Sequence, residues 1–196
     1  MQEAIAIAEL NRSGFLAVID DCLAIYAAAM GAGPAELPSR RAIMGRHSGS
    51  PDFRALAVTA GSSGRVVAFS YGFRGLPGQW WHDVVRAGIS GATGLSTAGT
   101  WLDDVLEIAE VHVHPEYQAR GIGRRMMMTL TARRTERTAV LSTRDAPTPA
   151  RRLYRSLGFV DLLTDFVFPG GGPPYAVMGA ELPLLGQGAP AGDARG

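Results

Sequence analysis

The stretch "VLEIAEVHVHPEYQARGIGRR", Val105 to Arg125, gathers residue types that can do chemistry: Glu107 and Glu110, His112 and His114, then Gly121 and Gly123 among Arg120, Arg124 and Arg125. A carboxylate on a strand can take a proton from an incoming nucleophile. Two glycines spaced Gly-x-Gly where a strand passes into a helix can adopt unusual backbone angles and turn successive N–H groups outward. The helix start adds its own donors and the positive end of its dipole. The three arginines would ring such a site with cations that match phosphate. Together these features describe an anion cradle. Taken alone, the pattern fits a plain turn equally well, because glycine at a turn needs no ligand.

Spacing excludes several ligand classes. A P-loop needs Lys-Ser/Thr after its last glycine, where this chain has Arg124-Arg125, and a dinucleotide fingerprint needs a third glycine where Met126 stands. Glu110, His112 and His114 alternate and would share one strand face. Yet Pro115 ends the strand there, and Glu116 follows too closely to complete a cupin-like His-x-His metal set. No metal is expected, and the histidines read as surface or structural residues. Met126 and Met127 share an apolar helix face with Ile122 and Leu130, whereas Met128 does not, so the "MMM" run reads as packing.

The chain as a whole narrows the field further. Its 196 residues are 46% hydrophobic, enough for one core, and no apolar run is long enough to span a bilayer. One domain is expected over residues 1–182, followed by a disordered tail over 183–196. No secretory leader is recognisable, so a cytoplasmic protein without membrane association is expected. All 19 basic residues are arginine and are nearly balanced by 18 acidic ones, which argues against a nucleic-acid partner and leaves no lysine for Schiff-base chemistry. The lone Cys22 falls among helically spaced apolar residues and reads as an inert, packed thiol.

The elements that must position the chemistry follow from periodicity and punctuation. Alternation predicts a strand from Ala4 to Leu10, and a helix from an N-cap at Ser13 to Met30. A short helix follows near Arg41 to His47, then a hairpin of "RALAVTA" and "RVVAFSYGF". From Gly75 to Asp103 the pattern fails and reads as a long Gly/Ser/Thr-rich connection with a short helical piece. Its tryptophans, Trp80, Trp81 and Trp101, either pack the loop or line a pocket. The strand Val105 to Val113 comes next, then a helix to about Arg134 and a strand "TAVLST". A second helix is capped by Thr148-Pro149 and stopped at Gly158, and strands Val160 to Phe168 and Tyr175 to Leu182 close the fold. This order describes an α/β (α+β) protein with a mixed sheet and one strand-turn-helix crossover near its middle.

Gln118-Ala119-Arg120-Gly121-Ile122-Gly123 resembles the Gln/Arg-x-x-Gly-x-Gly/Ala motif of the GNAT superfamily of acyl-CoA-dependent N-acetyltransferases. The resemblance extends to "VHVHPEYQARGIG" as that family's central strand and pyrophosphate loop, and to "ARRLYRSLGF" as its later helix. It implies the GNAT fold: a mixed, largely antiparallel seven-stranded sheet with a splayed central strand and about four flanking helices. It implies acetyl-CoA as cosubstrate, its pantetheine arm on the backbone of Val111, His112 and Val113. The pyrophosphate would rest on Gln118, Ala119, Arg120, Gly121, Ile122, Gly123 and Arg124. Tyr154 matches the family's general acid near the CoA sulfur. Glu107 occupies a strand position where some members place a base. Glu110 points the other way in a regular strand, but reaches the cleft if the strand bulges as the family's often does. The two remain equal candidates.

One position departs from the pattern, because Pro147 stands where many members have Asn contacting CoA. The acceptor is expected to be a small-molecule or peptide amine, and a homodimer is compatible with the family. Trp80, Trp81 and His82 suggest an apolar or aromatic acceptor, whereas Asp83, Asp103 and Asp104 suggest a cationic one. A non-catalytic acyl-CoA sensor on the same fold is the alternative.

Overall fold

The computed structural model describes residues 3–61 and 64–186. Seven strands form one sheet in the order β1-β2-β3-β4-β5-β7-β6, and seven α-helices accompany them among the described residues. The expected sheet is present, with more helices than the four expected. The last residues of the expected tail, 187–196, lie outside the described part.

The chain separates into two units. The first contains the residues up to Gly75 and Glu107–Leu130; the second contains Leu76–Leu106 and the residues from Thr131 onward. In the first unit, β1 (Ile5–Leu10) pairs antiparallel with β2 (Arg54–Ala60), which pairs antiparallel with β3 (Arg65–Gly75). The single helix expected from Ser13 is two helices. Asn11 is the N-cap, its side chain accepting from Gly14 N–H at 2.8 Å, and α1 (Arg12–Ala17) closes at Val18, whose N–H turns back to Phe15 O. Val18 adopts φ −109° and ψ 13°, and α2 (Ile19–Met30) starts afresh to end at Gly31, left-handed at φ 70°. Helix α3 (Leu37–His47) begins earlier than expected, with Pro38 in its first turn. The core of this unit joins Phe15, Ile19, Leu23 and Met44 from the helices to Phe69, Tyr71 and Phe73 of β3.

In the second unit, residues read as a long connection are two helices, α4 (Trp80–Thr93) and α5 (Leu95–Leu102), joined at Gly94 with φ 99°. One of the glycines in this segment, Gly88, serves packing. A Cβ on Gly88 would lie 2.8 Å from Phe166 and 2.9 Å from Leu163, both on β6 (Val160–Phe166), so the missing side chain lets α4 approach that strand. Val85, Ile89, Ala98 and Leu102 bury the inner face of this pair against Val140 and Val177. These two valines belong to β5 (Thr138–Arg144) and β7 (Tyr175–Glu181), which pair antiparallel; β6 pairs antiparallel with β7.

Helix α7 (Pro149–Ser156) starts as its sequence indicates, with the Thr148 hydroxyl accepting from Arg151 N–H, and Gly158 turns at φ 96°. Strand β4 (Val105–Val113) starts in the second unit and continues into the first, where it leads to α6 (Ile122–Thr131). No helix among the described residues is long and apolar enough to cross a membrane.

Gly88 and Gly91 provide a paired test. Gly88→Ala gains helix propensity but forces its methyl into Phe166 and Leu163, and a net loss of about 1–2 kcal/mol is expected. Gly91 has nothing within 4 Å of the same methyl, and Gly91→Ala should gain about 0.5–1 kcal/mol. Urea denaturation of both variants decides the matter; stabilisation by both would sink the packing explanation.

Candidate active site

The glycine turn is held from both sides before any ligand is considered. The last strand residues lead to a 3-10 turn at Pro115–Tyr117, where His114 N–H donates to Val67 O on β3. The buried Tyr117 ring sends its hydroxyl to Glu3 at 2.9 Å, and Gln118 Nε2 donates to Val113 O at 3.0 Å. On the other side, α6 is anchored by Ile122, Met126, Met127 and Leu130, all buried, while Met128 is only half-buried, as the sequence pattern implied.

Between these anchors the backbone turns left-handed twice, at Ala119 (φ 59°) and Gly121 (φ 74°). Left-handed residues ahead of a helix start can turn successive N–H groups toward one side, and Arg125 N–H closes the first turn of α6 on Gly121 O at 3.1 Å. The space above Gly121 is open, with nothing within 4 Å of a notional Cβ. Arg120 bends back, donating to Glu116 O at 2.8 Å with its guanidinium 4.9 Å from the Tyr117 ring centre. Arg124 and Arg125 face outward and line a groove of about 870 Å³ with Ile5, Ile7, Met128 and Thr129. An open left-handed turn with Arg124 and Arg125 just beyond it suits a phosphate-bearing ligand, while Glu9 shares the groove that these arginines line.

The two carboxylates of β4 are both buried, Glu107 at 3% exposure and Glu110 at 7%, and their surroundings differ. Glu107 Oε2 has no hydrogen-bond partner among the described residues. Burial alone pushes the Glu107 carboxyl up to about 8, because no cation offsets the lost hydration. Glu110 accepts from Arg40 Nη1 at 2.9 Å through Oε1 and meets His112 Nε2 through Oε2.

Ala109 packs into the cluster that holds Tyr26 and Phe69, while the next residue but two, His112, lies edge-on to the first ring and tilted to the second, each at 5.3 Å. Strict alternation would send Ala109 and His112 to opposite faces. The period of two is therefore broken between them, as a bulge breaks it. Tyr71, fully buried on β3, accordingly feels both carboxylates. Burial first, then the charges of Glu110 and Glu107, hold its hydroxyl well above the usual phenol range. His47 Nδ1 lies 3.1 Å from that hydroxyl.

Sequence reasoning did not find Arg40, Tyr26, Tyr71 or His47. They lie far from β4 in the chain, in segments without a motif, and only the packing of α2, α3 and β3 brings them to it. Cys22, also in this unit, is buried with its thiol pushed up to about 12, which leaves it inert. His114 bonds locally, its Nδ1 accepting from Glu116 N–H. No group of three or more His, Cys, Asp or Glu residues that could hold a metal occurs among the described residues.

In the second unit, Tyr154 is buried on α7 with its ring 5.8 Å from Phe159. Trp80 is 60% exposed on α4, next to Phe168, whereas Trp81 donates its indole N–H to Ser142 at 3.2 Å. Trp101 packs over Gly179, where a Cβ would come within 2.8 Å of its ring. His82 is fully buried with Nε2 3.0 Å from Leu102 O, which makes it a structural residue. The acids that hinted at a cationic acceptor have local partners. Asp83 accepts from Gly78 N–H, Asp103 pairs with Arg86 at 2.7 Å, and Asp104 accepts from Arg137 N–H. Pro147 O accepts from Arg152 at 3.1 Å.

The seven-stranded mixed sheet and its flanking helices have the GNAT fold. Residues 80–161 match the acetyltransferase (GNAT) domain. The chain is 36% identical over 128 residues to a GCN5-like protein acetyltransferase of Mycobacterium tuberculosis, a match covering 63% of this chain and 62% of that protein. The chain thus spans somewhat less than two thirds of that relative's length. The ribosomal-protein-S18-alanine N-acetyltransferase of Escherichia coli has a similar fold, at 18% identity and a TM-score of 0.60 over 95% of this chain and 99% of that one. A GNAT-family acetyltransferase of Bacillus cereus is similar over 91% of this chain and 97% of its own, at 10% identity and a TM-score of 0.58.

The raised Glu107 value carries a stability consequence. Folding takes up a proton at Glu107 between the unfolded carboxyl value of 4.5 and about 8. Its contribution is complete below the first value and is lost as pH rises through the second. Glu107→Gln lacks this loss, so its stability relative to wild type should climb by roughly 1.4 kcal/mol per pH unit across the middle of that window. Urea denaturation at several pH values measures this; parallel curves for the two proteins would refute it.

Proposed function

We propose that this chain is an acyl-CoA-dependent N-acetyltransferase that moves an acetyl group from acetyl-CoA to a primary amine in a ternary complex, with Glu107 as proton acceptor. The observation that carries this reading is a buried carboxyl without a cation, raised to about 8, on the strand that feeds the left-handed turn. A base with that value stays mostly protonated until pH approaches 8, then becomes a strong enough acceptor to deprotonate an alkylammonium.

The turn around Gln118 to Arg124 would hold the CoA pyrophosphate through backbone N–H groups, with the backbone of Val111 to Val113 along the pantetheine arm. The amine nitrogen, once neutral, attacks the thioester carbonyl carbon. The C–N bond forms, the carbonyl oxygen becomes the oxyanion, and its collapse breaks the C–S bond. Glu107 receives the amine proton, and Tyr154, by its match to the family's acid, gives a proton to the departing CoA thiolate. No covalent enzyme intermediate is needed, in keeping with an inert Cys22.

The mycobacterial relative is named a protein acetyltransferase, which makes a peptide or protein amine one acceptor class to try beside small amines. Of the residues first considered for acceptor binding, Trp80 keeps an exposed face and Trp81 is engaged in packing.

The test is thiol release from acetyl-CoA in the presence of an amine panel. Glu107→Gln and Tyr154→Phe should each lower kcat by about 10²-fold or more. With an acceptor amine that is itself neutral below pH 7, kcat/KM should fall as pH drops below about 8, following Glu107 protonation. Full-rate turnover in Glu107→Gln would eliminate it as the base. Acetyl-CoA binding without thiol release for any amine would favour the sensor reading.

A further inference from the structure

The environments of Glu107 and Glu110 differ in one decisive respect, a guanidinium. Arg40, on α3, donates Nη1 to Glu110 Oε1 at 2.9 Å and Nη2 to the Tyr26 hydroxyl at 3.0 Å, with its guanidinium carbon 4.5 Å from the Tyr26 ring centre. Tyr26 meets the His112 ring edge-on at 5.3 Å, and His112 Nε2 closes on Glu110 Oε2. The four side chains form a closed ring drawn from α2, α3 and β4.

We propose that Arg40 is a positioning residue: it commits Glu110 to remain the fixed anion of this ring and thereby leaves proton acceptance to Glu107. The inference rests on the reading of Glu107 as base. Its physical ground is charge balance. Glu110, only 7% exposed, faces the Arg40 guanidinium at 2.9 Å, and removing that partner would leave a buried carboxylate without the cation that compensates it.

Other groups whose charge reaches Glu110 cannot replace Arg40. Burial lowers His47 toward its neutral form and raises both Tyr71 and Cys22, which stay protonated. Glu107, three residues back along β4, adds only like charge when ionised. Arg40 is the guanidinium that Glu110 depends on, with His112 as its second direct partner.

The test follows kcat/KM over roughly pH 5.5 to 9.5 with the full chain, acetyl-CoA and an acceptor from the panel. Arg40→Met should lower kcat/KM by about tenfold or more and spread the acid limb over two ionisations, because Glu110 then competes for the proton. Arg40→Lys retains the charge and should keep the single wild-type limb with a loss of only a few fold. The double variant Arg40→Met/Glu110→Gln removes both charges and should regain a single limb. It also decides the matter if Arg40→Met fails to fold, since a folded, active double variant is expected only if the pair serves charge balance. An unchanged rate and limb in Arg40→Met overturns the proposal while leaving Glu107 in place, whereas loss of the limb in Glu110→Gln alone assigns the limb to Glu110 and overturns the base assignment with it. A limb that survives in an active Glu107→Gln protein overturns the base assignment and the proposal together.

Discussion

A carboxyl group enclosed by protein and given no cation keeps its proton to a pH far above its ordinary range. Strand β4 creates that condition at Glu107, and the organisation of the first unit turns on its being removed at Glu110. Helices α2 and α3 bring Tyr26 and Arg40 to Glu110, whereas Glu107 Oε2 meets no polar partner among the described residues. Two identical side chains on one strand thus have different surroundings, one ion-paired with Arg40 and the other enclosed without a cation. A strand of unbroken alternation would also have kept them on opposite faces, so the break in period between Ala109 and His112 is part of the same arrangement.

Arginine suits that arrangement in a way that a point charge would not. A planar guanidinium can donate from two nitrogens in fixed directions while lying over an aromatic face, and Arg40 does all three at once toward Glu110 and Tyr26. An ammonium could supply the charge but would hold the orientation of neither partner. Glu110 then reads as the pivot that fixes α3 to β4.

What the sequence disclosed divides along the same line between local and distant causes. Strands with clear alternation or continuous apolar runs, β2 and β4 above all, were legible to the residue, and so was the Thr148-Pro149 helix start, since each is governed by its own neighbours. The segment holding α4 and α5 was not, because its Gly/Ser/Thr-rich composition resembles a loop, whereas Gly88 admits Phe166 and Leu163 from a strand more than seventy positions later. The break at Val18 escaped notice for a related reason: the apolar spacing of α1 and α2 continues across it, and only the backbone angles reveal the interruption. In the candidate site, the motif located the turn and both carboxylates. It could not rank them, since the ranking depends on Arg40 and Tyr26, which no spacing along the chain connects to β4.

The turn itself contains a feature that a motif written in glycines conceals. Ala119 is left-handed as well as Gly121, and an alanine in that region costs roughly 1–2 kcal/mol that glycine would not. Such a conformation persists only when its surroundings over-determine it. Here they do: Tyr117 is tied to Glu3, Gln118 is tied by its side chain to Val113 O and by its backbone to Pro115 O, and Ile122 is buried at the start of α6. Gln118 therefore matters through the loop it fastens as much as through any ligand it could touch. The strain at Ala119 is thus held by contacts within the protein on both sides of the turn.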